Sequence, residues 1–98
     1  MNKMDLNDIA KRLPVAWKST IVWHAAYANF KVLRMDASAY PPEVHDYAEA
    51  LPVLNGCMNL EVSGEIITVL AGEVYIVPAG LQHSVAPGSH GTLVVVEP

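Results

Sequence analysis

Apolar residues recur along this chain at two different periods. Near the start, Leu6, Ile9, Ala10 and Leu13 fall at i, i+3, i+4 and i+7, the spacing of one face of an α-helix. Asp5 and Asp8 suit the positive N-terminal end of such a helix, and Lys11 and Arg12 suit its other end. Pro14 stops it, because proline supplies no N–H and crowds the preceding turn. The pattern predicts a short amphipathic helix within residues 1–14, laid on the rest of the fold or on a neighbouring subunit.

After Pro14 the period shortens toward two. Residues 17–25 read as a strand, with Trp17, Ser19, Ile21 and Trp23 on one side and Lys18, Thr20 and His24 on the other. His24 is therefore expected at the surface. Residues 30–36 form a second strand, with Leu33 and Met35 sharing a face. Three dipeptides then mark the chain at eight-residue intervals: Asn55-Gly56, Ser63-Gly64 and Ala71-Gly72. Asn-Gly favours a type I′ turn, because both central residues need positive φ. Around these turns, strands are predicted over 58–62, 65–70, 73–77, 82–86 and 92–96. Short strands at this rhythm predict an all-β sandwich or closed antiparallel barrel over residues 15–98.

Composition narrows the classes of function. The chain has 98 residues, of which 52% are hydrophobic and only 16% charged. A domain this small has little interior in which to hide so much apolar surface, which predicts a homo-oligomer, most simply a homodimer. Net charge is −4 and the six basic residues are scattered. That excludes the clustered basic footprint of a nucleic-acid binder. No stretch approaches the roughly 18 apolar residues that would span a bilayer. The first eleven residues lack the apolar run of a signal peptide. The single cysteine, Cys57, has no internal disulfide partner. Together these features predict a cytoplasmic protein without nucleic-acid or membrane partners. Cys57 follows a predicted turn and has no basic neighbour in sequence, so it is not read as a nucleophile. His90 lies in a loop-like Pro-Gly-Ser-His-Gly run and is read as ordinary.

Two segments carry candidate chemistry. In residues 72–83, Gly72, Pro78, Gly80 and His83 form the pattern G-x5-P-x-G-x2-H. Pro78 ends a strand, where its missing N–H does least harm, and Gly80 permits a tight reversal. His83 then enters the next strand. In residues 43–49, Glu43, His45, Tyr47 and Glu49 share one face if the strand is regular, and Asp46 faces out. Leu51 and Val53 continue that face and mark it as the inner one. Charged groups on an inner face are costly unless they are paired or hold a metal.

These segments resemble the two motifs of the cupin superfamily. His45, Glu49 and Gly56 match the end of its first motif, H-x3-E-x6-G, and residues 72–83 match the second except at its last position. The fifteen residues between Gly56 and Gly72 fit the short end of that family. The resemblance implies a double-stranded β-helix (jelly-roll) barrel of antiparallel strands, with metal ligands inside. Carried over by position, the ligands are Glu43, His45, Glu49 and His83. Tyr47, Leu51 and Val85 are expected to line the pocket beside them. Glu43 stands where the family usually has a histidine, Ala37 where it has a glycine, and Pro87 where it has an asparagine. With Glu43 turned in, the donors are two imidazoles and two carboxylates, a set suited to Fe(II), Mn(II), Ni(II) or Zn(II). With Glu43 turned out, a two-His-one-carboxylate triad remains. Three functions follow from the resemblance. One is a metal-dependent enzyme, dioxygenase-like or isomerase-like, acting on a small organic molecule. Another is a metal-free module that binds or senses a small ligand. The last is a dimeric scaffold.

Overall fold

The computed structural model describes residues 3–98. One helix, α1 (Leu6–Arg12), precedes eight strands. These are β1 (Thr20–Ala25), β2 (Ala28–Asp36), β3 (Tyr40–Glu43), β4 (Glu49–Val62), β5 (Glu65–Leu70), β6 (Val74–Val77), β7 (His83–Val85) and β8 (His90–Glu97). Every strand pairing is antiparallel. The sheet runs β1-β2-β8-β4-β7-β3, with β5 and β6 also pairing on β4. Four partners along β4 require the sheet to curl, and it closes into a barrel. Inside lie Leu33, Met35, Leu51, Val53, Met58, Leu60, Val69, Val77, Leu93 and Val95.

The helix forms as its sequence predicts. The Asp5 carboxylate accepts the Asp8 N–H at 3.0 Å, satisfying one of the free amides of the first turn. Ala10 is fully buried where α1 meets β2 and β8. Val32 and Val94 pair across those two strands, on the face opposite Leu33 and Leu93, and are buried there. The helix thus covers the outside of the barrel and does not enter it.

Three expectations need correction. Asn55-Gly56 is not a hairpin turn, because β4 runs unbroken from Glu49 to Val62. The pairing of β4 with β8 slips between Val53 and Asn55, the signature of a bulge. The extra residue is Leu54, and of the dipeptide only Gly56 takes positive φ (77°), whereas a type I′ turn needs it at both central residues. By contrast, Ser63 (φ 52°) and Gly64 (φ 79°) do form the two-residue hairpin between β4 and β5. The strand expected over 17–25 begins only at Thr20, because Trp17 sits at φ 65° and its N–H donates to the Arg34 carbonyl at 2.9 Å. Ile21 and Trp23 are both exposed on β1 whereas Trp17, ahead of the strand, is half-buried, so the residues expected on one side do not share one environment. His90 opens β8 instead of lying in a loop, although its side chain is exposed, as is that of His24.

Candidate metal centre

The two chemistry-bearing segments meet at one end of the barrel. Residues 43–49 are not a continuous strand: β3 ends at Glu43, residues 44–48 are irregular, and β4 starts at Glu49. Burial nonetheless alternates through the break. Val44, Asp46 and Ala48 are exposed, whereas Glu43, His45 and Tyr47 are half-buried and Glu49 is buried. The second segment is tied to this loop through backbone. Gly80, at φ 83°, donates its N–H to the His45 carbonyl at 2.7 Å. That bond fixes the turn that delivers His83 to the start of β7, where it pairs with both Glu43 and Val62.

The resulting distances are short. His83 Nε2 lies 2.9 Å from Glu49 Oε1. His45 Nε2 lies 3.3 Å from Glu43 Oε2 and 3.8 Å from Glu49 Oε1. The two imidazole rings are 5.6 Å apart, centre to centre. Glu43, His45 and His83 each present a donor atom within 4.8 Å of the others, and so do His45, Glu49 and Glu97. The structure thus gathers Glu43, His45, Glu49 and His83 into two overlapping donor groups that share His45, the second completed by Glu97.

Electrostatics at this point favour a bound cation. The Glu49 and His83 side chains are only 5% and 6% exposed. Among the described residues no Lys or Arg pairs with Glu49. Burial pushes the Glu49 carboxyl above its ordinary range, the two histidines oppose that, and neighbouring Glu97 adds to it. His83 Nδ1 faces the Leu81 carbonyl at 3.0 Å and must donate to it, which directs Nε2 at Glu49. The 2.9 Å contact then needs one proton between Nε2 and the carboxyl oxygen. A divalent cation replaces such a proton readily, since both atoms are good donors to Fe(II), Mn(II), Ni(II) or Zn(II). The residues present therefore fit a metal.

Beside this cluster lies a cavity of about 170 Å³. Leu33, Met58, Leu60, Leu93 and Val95 give it an apolar floor, and Leu51 and Val85 line it as well. Trp17 and Tyr40 form one wall, their rings 5.5 Å apart. The Trp17 indole N–H donates to Asp36 Oδ1 at 2.7 Å and Ser38 Oγ at 3.0 Å, which holds the ring in place. Tyr47, expected on the pocket wall, instead stacks on His45 at 4.9 Å and faces a separate outer depression. Its phenol is pushed up to about 12 by burial and by the nearby Glu97. Glu97 was not anticipated. It follows Leu93 and Val95 on the inner face of β8, and parity could have found it had the strand been carried one residue further. No comparable signal marks Trp17, which reaches the cavity through a single positive-φ residue.

Fold and site together define a small barrel protein with a His/Glu cluster at the mouth of its interior. The chain belongs to the cupin family: the cupin domain family model matches residues 32–97. Its structure is similar to a cupin-2 domain protein from Shewanella frigidimarina, with a TM-score of 0.87 and 22% identity over 97% of this chain and 93% of that one. It is also similar to a protein from Neisseria meningitidis, with a TM-score of 0.83 and 20% identity over 98% of both chains. KdgF from Halomonas aligns at a TM-score of 0.66 and 20% identity, over 80% of this chain and 73% of that one. No curated protein matches the sequence. Among the described residues, no helix is long and apolar enough to cross a membrane.

Proposed function

We propose that this chain is a metal-dependent cupin enzyme acting on a small organic molecule. His45, Glu49 and His83 would hold a divalent transition metal, with Glu43 as a further donor. The observation that carries this reading is a buried carboxyl, without a Lys or Arg partner, 2.9 Å from one imidazole and 3.8 Å from another, at the wall of an apolar cavity. A bound divalent cation would supply Lewis-acid polarisation of a substrate oxygen. The protein's own groups do the rest. The Leu81 carbonyl fixes the His83 ring, Tyr47 braces His45, and the Trp17–Tyr40 wall excludes water from one side of the substrate. Protein purified without chelator should carry close to one divalent metal ion per chain by elemental analysis. Metal at a hundred times Kd should raise the melting temperature by roughly 10 °C or more. Substoichiometric metal, unrestored by Fe(II), Mn(II), Ni(II) or Zn(II), would defeat the proposal.

One observation favours a second reading. The Glu49–His83 hydrogen bond satisfies both buried groups without any metal. A metal-free small-ligand module would use the same cavity. Thermal stabilisation by sugars or small acids in the presence of chelator supports that reading over the first.

We also infer that the chain works as a homodimer. On the outside of the barrel, Leu54, Val74 and Ile76 are exposed and adjoin Pro52, which pairs with Val74. These four side chains are uncharged, and a second copy is the occupant expected for a chain so rich in apolar residues. Sedimentation at micromolar concentration should show a dimer that Ile76→Asp dissociates. A wild-type monomer overturns the inference.

A further inference from the structure

We propose that Glu97, from the C-terminal strand and outside both motif segments, is a ligand of the same metal, and that Lys31 is its counterion. The inference rests on the metal-binding reading above and extends its donor set.

The placement of Glu97 comes from strand parity. On β8, Leu93 and Val95 belong to the interior cluster, and Glu97 is the next residue on that face. On β2, Lys31 shares the inner face with Leu33 and Met35. Lys31 and Val95 are register partners, so the two charged side chains meet inside the barrel end. Lys31 Nζ lies 2.6 Å from Glu97 Oε1, and the two side chains are 23% and 11% exposed. His45, Glu49 and Glu97 each bring a donor atom within 4.8 Å of the other two.

Charge accounting points the same way. The two donor groups that share His45 hold three carboxylates between them, Glu43, Glu49 and Glu97, and Lys31 brings one ammonium. The formal excess is two negative charges, which matches a divalent cation when both histidines are neutral. A carboxylate pair this buried is costly without a further cation beside it. Lys31 engages Oε1, and the same carboxylate also meets Tyr47 and Glu49. Three carboxylate donors in place of the single one usual to the family move the preference toward harder ions. The set should favour Mn(II) and Fe(II) more strongly than a histidine-rich set does.

The test uses the full chain and Mn(II) alone, titrated by calorimetry and by the loss of the free Mn(II) electron paramagnetic resonance signal. Glu97→Gln should weaken Mn(II) binding tenfold or more. Lys31→Gln should leave it within twofold or tighten it. Both variants break the same ion pair, but only Lys31→Gln leaves Glu49 and Glu97 together without a cation, so its metal-free form should melt lower than that of Glu97→Gln. The variant that melts lower should keep its Mn(II) affinity and the one that melts higher should lose it, which is the signature of a ligand and its counterion. If both variants change Mn(II) affinity by the same factor, or neither does, Glu97 is only an ion-pair partner and the proposal falls. Should Glu97→Gln not fold, Glu97→Asp carries the test, since it keeps the charge and loses the reach. Unchanged Mn(II) affinity in that variant overturns the proposal. Absence of all divalent binding in wild-type protein would instead bring down the metal reading itself.

Discussion

Replacing His83 with alanine is expected to abolish divalent metal binding, with at least a hundredfold loss of affinity. His83 is the imidazole whose orientation is fixed on both sides, by the Leu81 carbonyl at Nδ1 and by Glu49 at Nε2. Loss of an outer partner that merely orients a ligand costs about 10- to 100-fold in metal affinity, so loss of the ligand itself should cost at least the upper figure. The same change leaves Glu49 buried without its closest partner, which costs about 1–3 kcal/mol of stability. Metal loss and destabilisation would then be confounded. Glu49→Gln separates them. Its amide N–H can donate to His83 Nε2, so the buried hydrogen bond survives and the penalty for burying a carboxyl disappears. The metal-free Glu49→Gln variant should melt at or above the wild-type temperature yet bind divalent metal far more weakly. Calorimetric titration with Zn(II) and Mn(II), run beside thermal melts, checks both halves. If His83→Ala leaves every measurable binding unchanged, the barrel is a scaffold and the cluster has no ligand role.

Motif spacing carried most of this site in advance, and strand parity carried part of the remainder. Gly80 and His83 could be placed because a turn requiring positive φ and a strand entry leave few geometries. Strand parity over residues 43–49 presupposes a regular strand, whereas the irregular residues 44–48 keep the burial alternation without ladder pairing. Glu97 was hidden because nothing local marks where β8 ends, and one residue of extension changes what the barrel mouth contains. Trp17 was illegible for a different reason. Its φ of 65° is imposed by tertiary contacts, the Arg34 carbonyl and the Asp36 carboxylate, which lie far away in sequence. Asn55-Gly56 failed as a turn signal for a related reason: Gly56 alone takes positive φ, and the long-range pairing of β4 with β8 keeps the strand running through it.

That pairing yields the largest expected loss of stability from a single methyl group. Gly56 and Gly91 face each other across β4 and β8 at φ 77° and 100°. A Cβ on Gly91 would lie 2.0 Å from the Asn55 carbonyl oxygen, and one on Gly56 would lie 2.0 Å from the His90 carbonyl oxygen. Both obstacles are backbone, so no side-chain rotation relieves them. Gly91→Ala should therefore lose the roughly 1–2 kcal/mol of left-handed backbone strain and a further 1–3 kcal/mol of steric displacement. A domain of this size holds on the order of 5–15 kcal/mol in all. The melting temperature should fall by about 10 °C or more. Gly64→Ala and Gly80→Ala provide the contrast. Their φ values, 79° and 83°, are as unfavourable, but a Cβ at either meets nothing within 4 Å. Only the backbone strain should appear there, about 1–2 kcal/mol. Thermal melts of the variants decide the matter: equal losses at Gly80 and Gly91 would mean that the close crossing does not matter. The crossing also reaches the site. From Gly56–Gly91 the ladder continues through Val53–Leu93 to Ala50–Val96, which sets Glu97 beside Glu49. A Gly91→Ala protein that still folds should do so with this register disturbed, and its metal affinity should fall with its stability.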